Sequence, residues 1–485
     1  MRKRIYAFIL MTVMLFTTSA CTGGNTTSDI YDESTVWEDV YTSDGETVES
    51  AGSSQTTGNA SGGTSSAASA IDTTKITTVD GLDFGGKTVK IAITSEKTPT
   101  ESDKRMFADF EKTYNCKIKY DVIAFADYLK TVGNKISSNQ PYDVLYMHGS
   151  MFPTAAISRL CLPLDEAIFD ADKMNKNNPS AGGIDMDKSS YFTWKNKLYA
   201  VAGYNDINVV WMYYNKQKFK DSGLEDPLTL YNSGKWTWEK VLEMGKKVTN
   251  ESKGTYFGDY SFCCTAISYS YGGKWIKINS YNDVKENTSD PHLFNGLKML
   301  QQLTSGPDKI CDLSKGVNQD PSAFLAGTTY AFIGEDLRYS ASISPAIIDE
   351  KKMNGNIDNV GIVPLPLGDG NTAYPAGWIQ GVAACRGTSD ITMAVAFAKF
   401  RSAWKDSKSD PYKLPQSAED MRLKLLGNLN YCNYGYTSGG TGETSAITSI
   451  SNQINKSVAK GQDIKTVLQK YSKSIQNCID VTLKK

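Results

Sequence analysis

Beyond residue 80, segments with the apolar pattern of strands alternate with segments with the apolar pattern of helices. Residues 88–94, 117–122 and 142–147 carry the alternating or continuous apolar patterns of short strands, whereas 102–114 and 127–138 carry apolar side chains at helical spacing. This β-α-β-α-β order predicts a parallel sheet with helices on its faces. The sequence therefore predicts an α/β protein, in which ligands bind at the carboxyl ends of the strands.

The later part of the chain continues the mixture of strands and helices. Strand patterns are followed by a helix expected to begin at Thr237, a good N-cap, and then by further segments of both kinds. These segments are strands at 197–201 and 208–214, a helix end joined to a strand at 324–333 with a loop at 334–338, an extended stretch at 360–367, and helices at 391–404, 445–459 and 464–479. A chain of 485 residues exceeds what one core usually serves, so two or more lobes are expected.

One segment matches the sequence pattern of a nucleotide-binding loop but lacks its predicted structural context. Residues 81–88 fit the pattern GxxxxGK[ST], which binds phosphates where a buried strand precedes it and a helix follows. Here a Gly/Ser-rich segment precedes the motif and a strand pattern follows it. We therefore expect no nucleotide site.

The N-terminus has the pattern of an export signal. Arg2, Lys3 and Arg4 precede an apolar run over 5–16, which is too short to span a bilayer and is followed by small residues up to Cys21. The small residues resemble a bacterial lipobox, although Thr18 stands where leucine is preferred. We expect 1–20 to be a lipoprotein signal peptide and Cys21 to carry a lipid anchor on the outer face of the cytoplasmic membrane. The alternative is an ordinary signal peptide that leaves Cys21 as a spare thiol.

Residues 21–80 are rich in Ser, Thr and Gly and hold few apolar side chains. Such segments cannot bury enough apolar surface to fold, so we expect a disordered tether between the anchor and the folded body.

The amino-acid composition limits the kinds of binding site that the sequence supports. The 52 Lys and Arg balance 53 Asp and Glu, a net charge of −1 that gives no support for nucleic-acid binding. Only two histidines are present, which counts against histidine-based metal sites, and we expect no cofactor and no metal. Eight cysteines remain after Cys21; their even number permits disulfides in an exported protein, but no spacing fixes a connectivity. The alternative is that most of them, including Cys116 and Cys432, are buried free thiols, because their sequence contexts are apolar or helical.

Several short segments, in order, resemble the extracellular solute-binding proteins of ATP-driven importers, in the sugar-oriented family that includes maltose-binding protein. They are Tyr-Asp-Val-Leu-Tyr at 142–146, Leu-Pro-Leu-Asp-Glu at 162–166, Tyr-Asn-Lys at 214–216, Thr-Trp-Glu at 237–239, Phe324 with Gly327 and Ala331, Gly-Ile-Val-Pro-Leu-Pro at 361–366, and Gly377-Trp378. The resemblance covers roughly 85–485. It implies a two-lobed periplasmic-binding-protein-like α/β fold whose hinge consists of three crossing segments.

The same resemblance predicts how the chain divides. Lobe 1 would hold 84–203 plus 375–405, and lobe 2 would hold 208–362 plus 412–485. The crossing segments would lie near 203–207, 364–374 and 405–411.

Candidate ligand-binding residues follow from the resemblance and from positions at strand ends. Trp378 matches a stacking tryptophan of the family, with core packing as the alternative, and Glu335 and Arg338 lie in a loop where they could equally form an exposed ion pair. The remaining candidates are Glu96, Tyr146, His148, Asp206 in the first crossing segment, and Phe262.

The resemblance implies a monomeric receptor that captures a carbohydrate, expected to be an oligosaccharide, and delivers it to permease subunits. It would perform no catalysis. One alternative is a surface carbohydrate-active enzyme that uses paired carboxylates, since Asp and Glu are abundant. Another is an adhesive or sensory module with the same cleft and different partners.

Overall fold

The structure, a computed structural model, describes residues 82–94, 99–164, 184–203, 206–259, 266–314, 322–335, 359–368, 374–404, 416–426, 429–431, 435–438 and 444–484. The chain divides into two units, Met1–Ala70 and Ile71–Lys485, and every described residue lies in the second unit. The predicted signal peptide, Cys21 and the whole of the predicted tether lie outside the described residues.

The strands within the described residues are β1 (Thr88–Thr94), β2 (Lys117–Ile123), β3 (Val144–His148), β4 (Thr193–Trp194), β5 (Lys197–Leu198), β6 (Ile207–Asn215), β7 (Gly258–Asp259), β8 (Ile276–Ser280), β9 (Asp283–Glu286), β10 (Cys311–Asp312), β11 (Ala331–Glu335), β12 (Val360–Pro364), β13 (Ala376–Ala384) and β14 (Asn430–Tyr431). The α-helices are α1 (Glu101–Tyr114), α2 (Tyr128–Ser137), α3 (Thr154–Ile157), α4 (Met186–Ser189), α5 (Lys216–Asp221), α6 (Pro227–Asn232), α7 (Trp238–Val248), α8 (Ala266–Ser270), α9 (Pro291–Thr304), α10 (Ser322–Leu325), α11 (Ile391–Ala403), α12 (Gln416–Leu426), α13 (Ile447–Ala459) and α14 (Ile464–Leu483).

Local sequence explains where the first helix begins. The Thr100 hydroxyl accepts a hydrogen bond from the Asp103 N–H at 3.1 Å, and the Asp103 carboxylate accepts one from the Thr100 N–H at 2.8 Å. This capping box satisfies two backbone donors that the first turn would otherwise leave unpaired. Met106, Phe107 and Phe110 then bury one face of α1.

The predicted parallel sheet is confirmed. β1 pairs in parallel with β2 on one side and with β3 on the other. β13 runs antiparallel to β3 through its second half and antiparallel to β6 through its first half. β11 and β12 each pair antiparallel with β6, and β14 pairs in parallel with β13.

β6 lies between two hydrophobic cores. All nine of its residues are buried, which is expected of a strand covered on both faces. Val209, Trp211 and Tyr213 pack in the core that includes β1, β3 and α11. The alternate residues Val210 and Met212 pack in the core that includes α7, α9, α13 and α14.

The strand after α10 is longer than predicted. The sequence placed Gly334 and Glu335 in a loop, but they are the last two residues of β11 and pair with Trp211 and Val210 of β6. That prediction was wrong because a buried neighbouring strand supplies backbone partners that the local sequence does not reveal.

The segment with the phosphate-loop letters forms a turn. Gly85 and Gly86 have φ of 61° and 76°, values that glycine adopts readily, and Lys87 leads directly into β1 rather than into a helix. The amides of a helix N-terminus, which such a loop requires, do not follow this turn.

Several tryptophans are buried in the interior. Trp236 donates its indole N–H to the Pro364 carbonyl at 2.9 Å, and Trp238 donates to the Ser270 hydroxyl at 2.8 Å. Trp211 is also fully buried. Thr237 caps α7 as predicted, with its hydroxyl accepting from the Lys240 N–H at 3.2 Å.

Because tyrosines are buried, we expect the free energy of unfolding to fall at alkaline pH. The Tyr128 hydroxyl donates to the Ala92 carbonyl at 3.0 Å, and burial raises the pKa of Tyr128 well above its ordinary value. The folded state thus favours the neutral phenol, so its contribution is complete below about pH 10 and falls by about 1.4 kcal/mol per pH unit above that. We expect urea unfolding to show this decline from pH 10 upward.

The Tyr128→Phe variant is expected to have a shallower decline of unfolding free energy above pH 10 than the unaltered chain. Tyr120→Phe, at an exposed position, is the matched control and is expected to keep the original slope. Equal slopes for both variants would contradict the role given to burial.

Candidate functional site

The carboxyl ends of the parallel strands lie at one edge of the sheet, here named the carboxyl edge. β1 ends at Thr94, β2 at Ile123 and β3 at His148. Because β13 is antiparallel to β3, its Gln380 pairs with His148 and lies at the same edge. Edges of this kind are where α/β proteins bind ligands.

Trp378 lies beside this pair. It precedes Gln380 by two residues in β13, so both side chains point to the same face of the sheet. The Trp378 side chain packs partly against the second core and stays half-buried, as do Gln380 and His148. The three side chains therefore present one aromatic and two polar groups on one accessible face.

A glycine allows Trp378 its position. A Cβ on Gly377 would lie 2.7 Å from the Asn208 carbonyl oxygen and 2.7 Å from the Leu429 side chain. Gly377 pairs with Val209, and Trp378 with Asn208. Glycine thus permits the close approach of β13 and β6 that places the indole at the carboxyl edge.

His148 has a defined orientation. Its Nδ1 accepts a hydrogen bond from the Ser150 N–H at 3.2 Å and lies 2.7 Å from the Ser150 hydroxyl. The Phe125 ring contacts the imidazole edge-on at a centroid distance of 5.2 Å. With Nδ1 accepting, the proton of the neutral ring lies on Nε2, which makes that nitrogen a hydrogen-bond donor.

A buried ion pair lies next to these residues. Asp206 directly precedes Ile207, which pairs with Ile379 of β13. The carboxylate is buried; it accepts a hydrogen bond from the Gly203 N–H at 2.8 Å and forms an ion pair with the Arg401 guanidinium. Burial acts to lower the pKa of Arg401, but the Asp206 carboxylate, together with Tyr146 and Asp103, outweighs burial and holds this pKa above its already high ordinary value.

Tyr146 of β3 packs against the Arg401 member of this ion pair. The Arg401 guanidinium lies over the Tyr146 ring, 5.1 Å from its centroid, and Phe397 contacts the ring from α11. Burial raises the pKa of Tyr146 against the opposing effect of the Arg401 charge. Tyr146 is 9% exposed, so it supports Arg401 from beneath more than it presents a surface to a ligand.

The structure thus brings together four of the predicted site residues at the carboxyl edge: Tyr146, His148, Asp206 and Trp378. Glu96, Phe262 and Arg338 lie outside the described residues, and for Glu335 only the backbone is described.

Sequence reasoning missed Arg401 and Gln380. Arg401 occupies the last turn of a largely apolar helix, where a cation is expected merely for its interaction with the helix dipole. Gln380 gave a weak signal as the one polar side chain in 376–384. Neither position identifies its partner without the strand pairing.

The described part of the chain contains no group of three or more acidic, histidine or cysteine side chains that could hold a metal ion. Within that same part, none of the helices combines the length and the apolar character needed to cross a bilayer.

The chain belongs to the bacterial extracellular solute-binding protein family, which matches residues 94–400. A search among curated proteins finds no match.

Solved structures show the same fold. An ABC substrate-binding protein of Listeria monocytogenes in complex with cycloalternan is 16% identical, with a TM-score of 0.58 over 81% of this chain and 99% of that one. A galacto-N-biose-/lacto-N-biose I-binding protein of Bifidobacterium longum is 14% identical, with a TM-score of 0.57 over 83% and 98%. A sugar transporter protein of Rhizobium etli in an open conformation is 15% identical, with a TM-score of 0.59 over 80% and 98%. These likenesses confirm the predicted two-lobed α/β fold.

Proposed function

We propose that the protein is the surface-anchored substrate-binding subunit of an ABC importer, that it captures an oligosaccharide between its lobes, and that it delivers it to permease subunits. The observation that carries the proposal is the half-buried group of Trp378, Gln380 and His148 on one face of the carboxyl edge. The chain binds the sugar and leaves it intact, and it works as a monomer.

The chemistry of this group suits a carbohydrate. A sugar ring has an apolar face, which stacks on a flat aromatic such as the Trp378 indole. Its hydroxyls need directional donors and acceptors, which the Gln380 amide and the His148 Nε2–H can supply. Structural neighbours in complex with cycloalternan and with lacto-N-biose support this choice of ligand class.

Binding would act by shifting a population of open and closed forms. In the proposed division, lobe 1 holds 84–203 plus 375–405, lobe 2 holds 208–362 plus 412–485, and Asp206 lies in the first crossing segment. The ion pair with Arg401 would then fix this crossing to lobe 1, so that closure rotates lobe 2 toward the carboxyl edge. A ligand that contacts both lobes favours the closed form by its differential affinity.

A thermal-shift panel on the full-length protein tests the proposal. A ligand at one hundred times its Kd adds about 2.7 kcal/mol to the unfolding free energy and raises Tm. We expect a concentration-dependent shift with oligosaccharides and none with amino acids or short peptides. A shift with peptides alone would reject carbohydrate as the ligand class.

Lipid anchoring is tested at Cys21. In a bacterial host that processes lipoproteins, we expect the chain to fractionate with membranes and its N-terminal peptide to carry diacylglycerol, because two acyl chains suffice for stable anchoring. Cys21→Ser is expected to release the protein into the soluble fraction, whereas Thr18→Leu is expected to keep it anchored. An unmodified Cys21 in the mature chain would instead establish an ordinary signal peptide.

A further inference from the structure

Two buried cysteines face each other across paired chain segments. The five cysteines within the described residues are buried thiols: Cys116, Cys161, Cys311, Cys385 and Cys478. Cys161 and Cys385 form an antiparallel β-bridge, although they lie far apart in the sequence. Cys385 immediately follows β13, and Cys161 lies in the segment after α3.

The hydrogen bonds around this bridge define its geometry. The Leu162 N–H donates to the Ala384 carbonyl at 2.9 Å, and the Arg386 N–H donates to the Leu160 carbonyl at 3.0 Å. These bonds flank the cysteines, so the cysteines form a non-hydrogen-bonded pair, with Cα atoms about 4.5 Å apart and both side chains on one face. That separation lies within the range of about 4.4–6.8 Å in which a disulfide closes without moving the backbone.

The other described cysteines have different surroundings. Cys311 in β10 pairs with Gly258, and Cys478 in α14 donates its thiol hydrogen toward the Thr444 carbonyl at 3.7 Å. Cys116 lies between α1 and β2. Within the described ranges, the strand and bridge pairings place a cysteine opposite a cysteine only at Cys161 and Cys385.

We propose that Cys161 and Cys385 form a disulfide in the exported protein. The bond would join the 84–203 and 375–405 segments, the two parts of the proposed lobe 1 that the rest of the chain separates. Both ends lie in the same hydrophobic core, so the bond would stabilise lobe 1 and leave the hinge free. It would also fix the end of β13, after which the chain turns toward α11.

The oxidation requires a disulfide-bearing oxidant, such as oxidised glutathione or an oxidised thiol–disulfide oxidoreductase outside the cytoplasm. One cysteine thiolate attacks the oxidant, forms a mixed disulfide and releases the first oxidant sulfur as a thiol. The second cysteine thiolate then attacks the mixed disulfide, forms the Cys161–Cys385 bond and releases the second oxidant sulfur as a thiol. The two cysteines lose two protons and two electrons, which reduce the oxidant.

The burial of both thiols determines when the disulfide can form. Burial raises the pKa of the Cys161 thiol, and it raises the pKa of the Cys385 thiol to about 12. Thiolates are therefore scarce in the folded chain, and the sulfurs are inaccessible to an oxidant. The bond must form while the exported chain folds, and once formed it is protected from reductants in the folded protein.

A peptide map of the full-length chain tests the proposal. The chain is exported with its own signal into a bacterial periplasm, alkylated in denaturant without reductant, and digested. We expect one linked peptide that contains Cys161 and Cys385 and that separates after reduction. Alkylation of both residues before reduction, or a bond from either to another cysteine, would overturn the proposal.

A matched pair of variants gives a second readout. Urea unfolding of the exported wild type is expected to have a lower midpoint with reductant than without it, because the bond restricts the unfolded chain. Cys161→Ala/Cys385→Ala is expected to lose this difference, and the control Cys311→Ala/Cys478→Ala to retain it. Retention of the difference by the first double variant would overturn the proposal, and the peptide map decides the question if that variant fails to fold.

Discussion

Trp378→Ala is expected to lose at least about 2 kcal/mol of oligosaccharide binding free energy, close to a thirtyfold rise in Kd. The indole lies on the accessible face that also holds Gln380 and His148. It is half-buried, so the Ala variant loses a surface that contacts the ligand and opens little space in the core. Isothermal titration of the full-length protein with the oligosaccharide that gives the largest thermal shift measures the effect.

Trp404→Ala is the matched control. Trp404 is also partly exposed, but it is the C-cap of α11 and donates its indole N–H to the Asp109 carboxylate of α1 at 2.8 Å. We expect the affinity of the Trp404→Ala variant for the sugar to stay within about threefold of wild type, a difference of less than about 0.7 kcal/mol. Equal losses in the two variants would remove the specific role of Trp378.

Arg401→Met is expected to reduce the unfolding free energy by about 3–5 kcal/mol, because it leaves the Asp206 carboxylate buried without its countercharge. Methionine retains much of the side-chain length, so the charge is the principal change. The measurement is urea unfolding of the full-length protein at neutral pH, with the slope against urea compared between variants.

The double variant Asp206→Asn/Arg401→Met separates charge from packing. Asparagine keeps an oxygen that can accept from the Gly203 N–H, and no buried charge remains. Neutral replacement of a buried ion pair is often tolerated, so we expect the double variant to recover most of the lost stability. A double variant as unstable as Arg401→Met would show that the guanidinium acts by packing on Tyr146 instead.

Much of the first part of the fold could be predicted from the sequence. The strands around 88–94 and 142–147 and the helix at 102–114 each carry their own periodicity, and the β-α-β-α-β order alone implies parallel pairing. His148 could be proposed from its position at a strand end, and Trp378 from the resemblance of the Gly377-Trp378 pair to the solute-binding family.

The remaining features depend on which distant segments become neighbours. Arg401 meets Asp206, and Cys161 meets Cys385, only because β13 returns antiparallel to β3 after the intervening chain. The end of β11 was misjudged for the same reason, since Glu335 is a strand residue through its pairing with β6. Local patterns specify elements, whereas such pairings are fixed by the tertiary fold.

The central claim is that the carboxyl edge binds an oligosaccharide without cleaving it. The most direct measurement is isothermal titration of the full-length protein with oligosaccharides, followed by chromatography of the recovered sugar. We expect saturable binding of one sugar per chain and recovery of the sugar at its original length. Shortened sugar, or saturable binding of peptides with no response to any carbohydrate, would contradict the proposal.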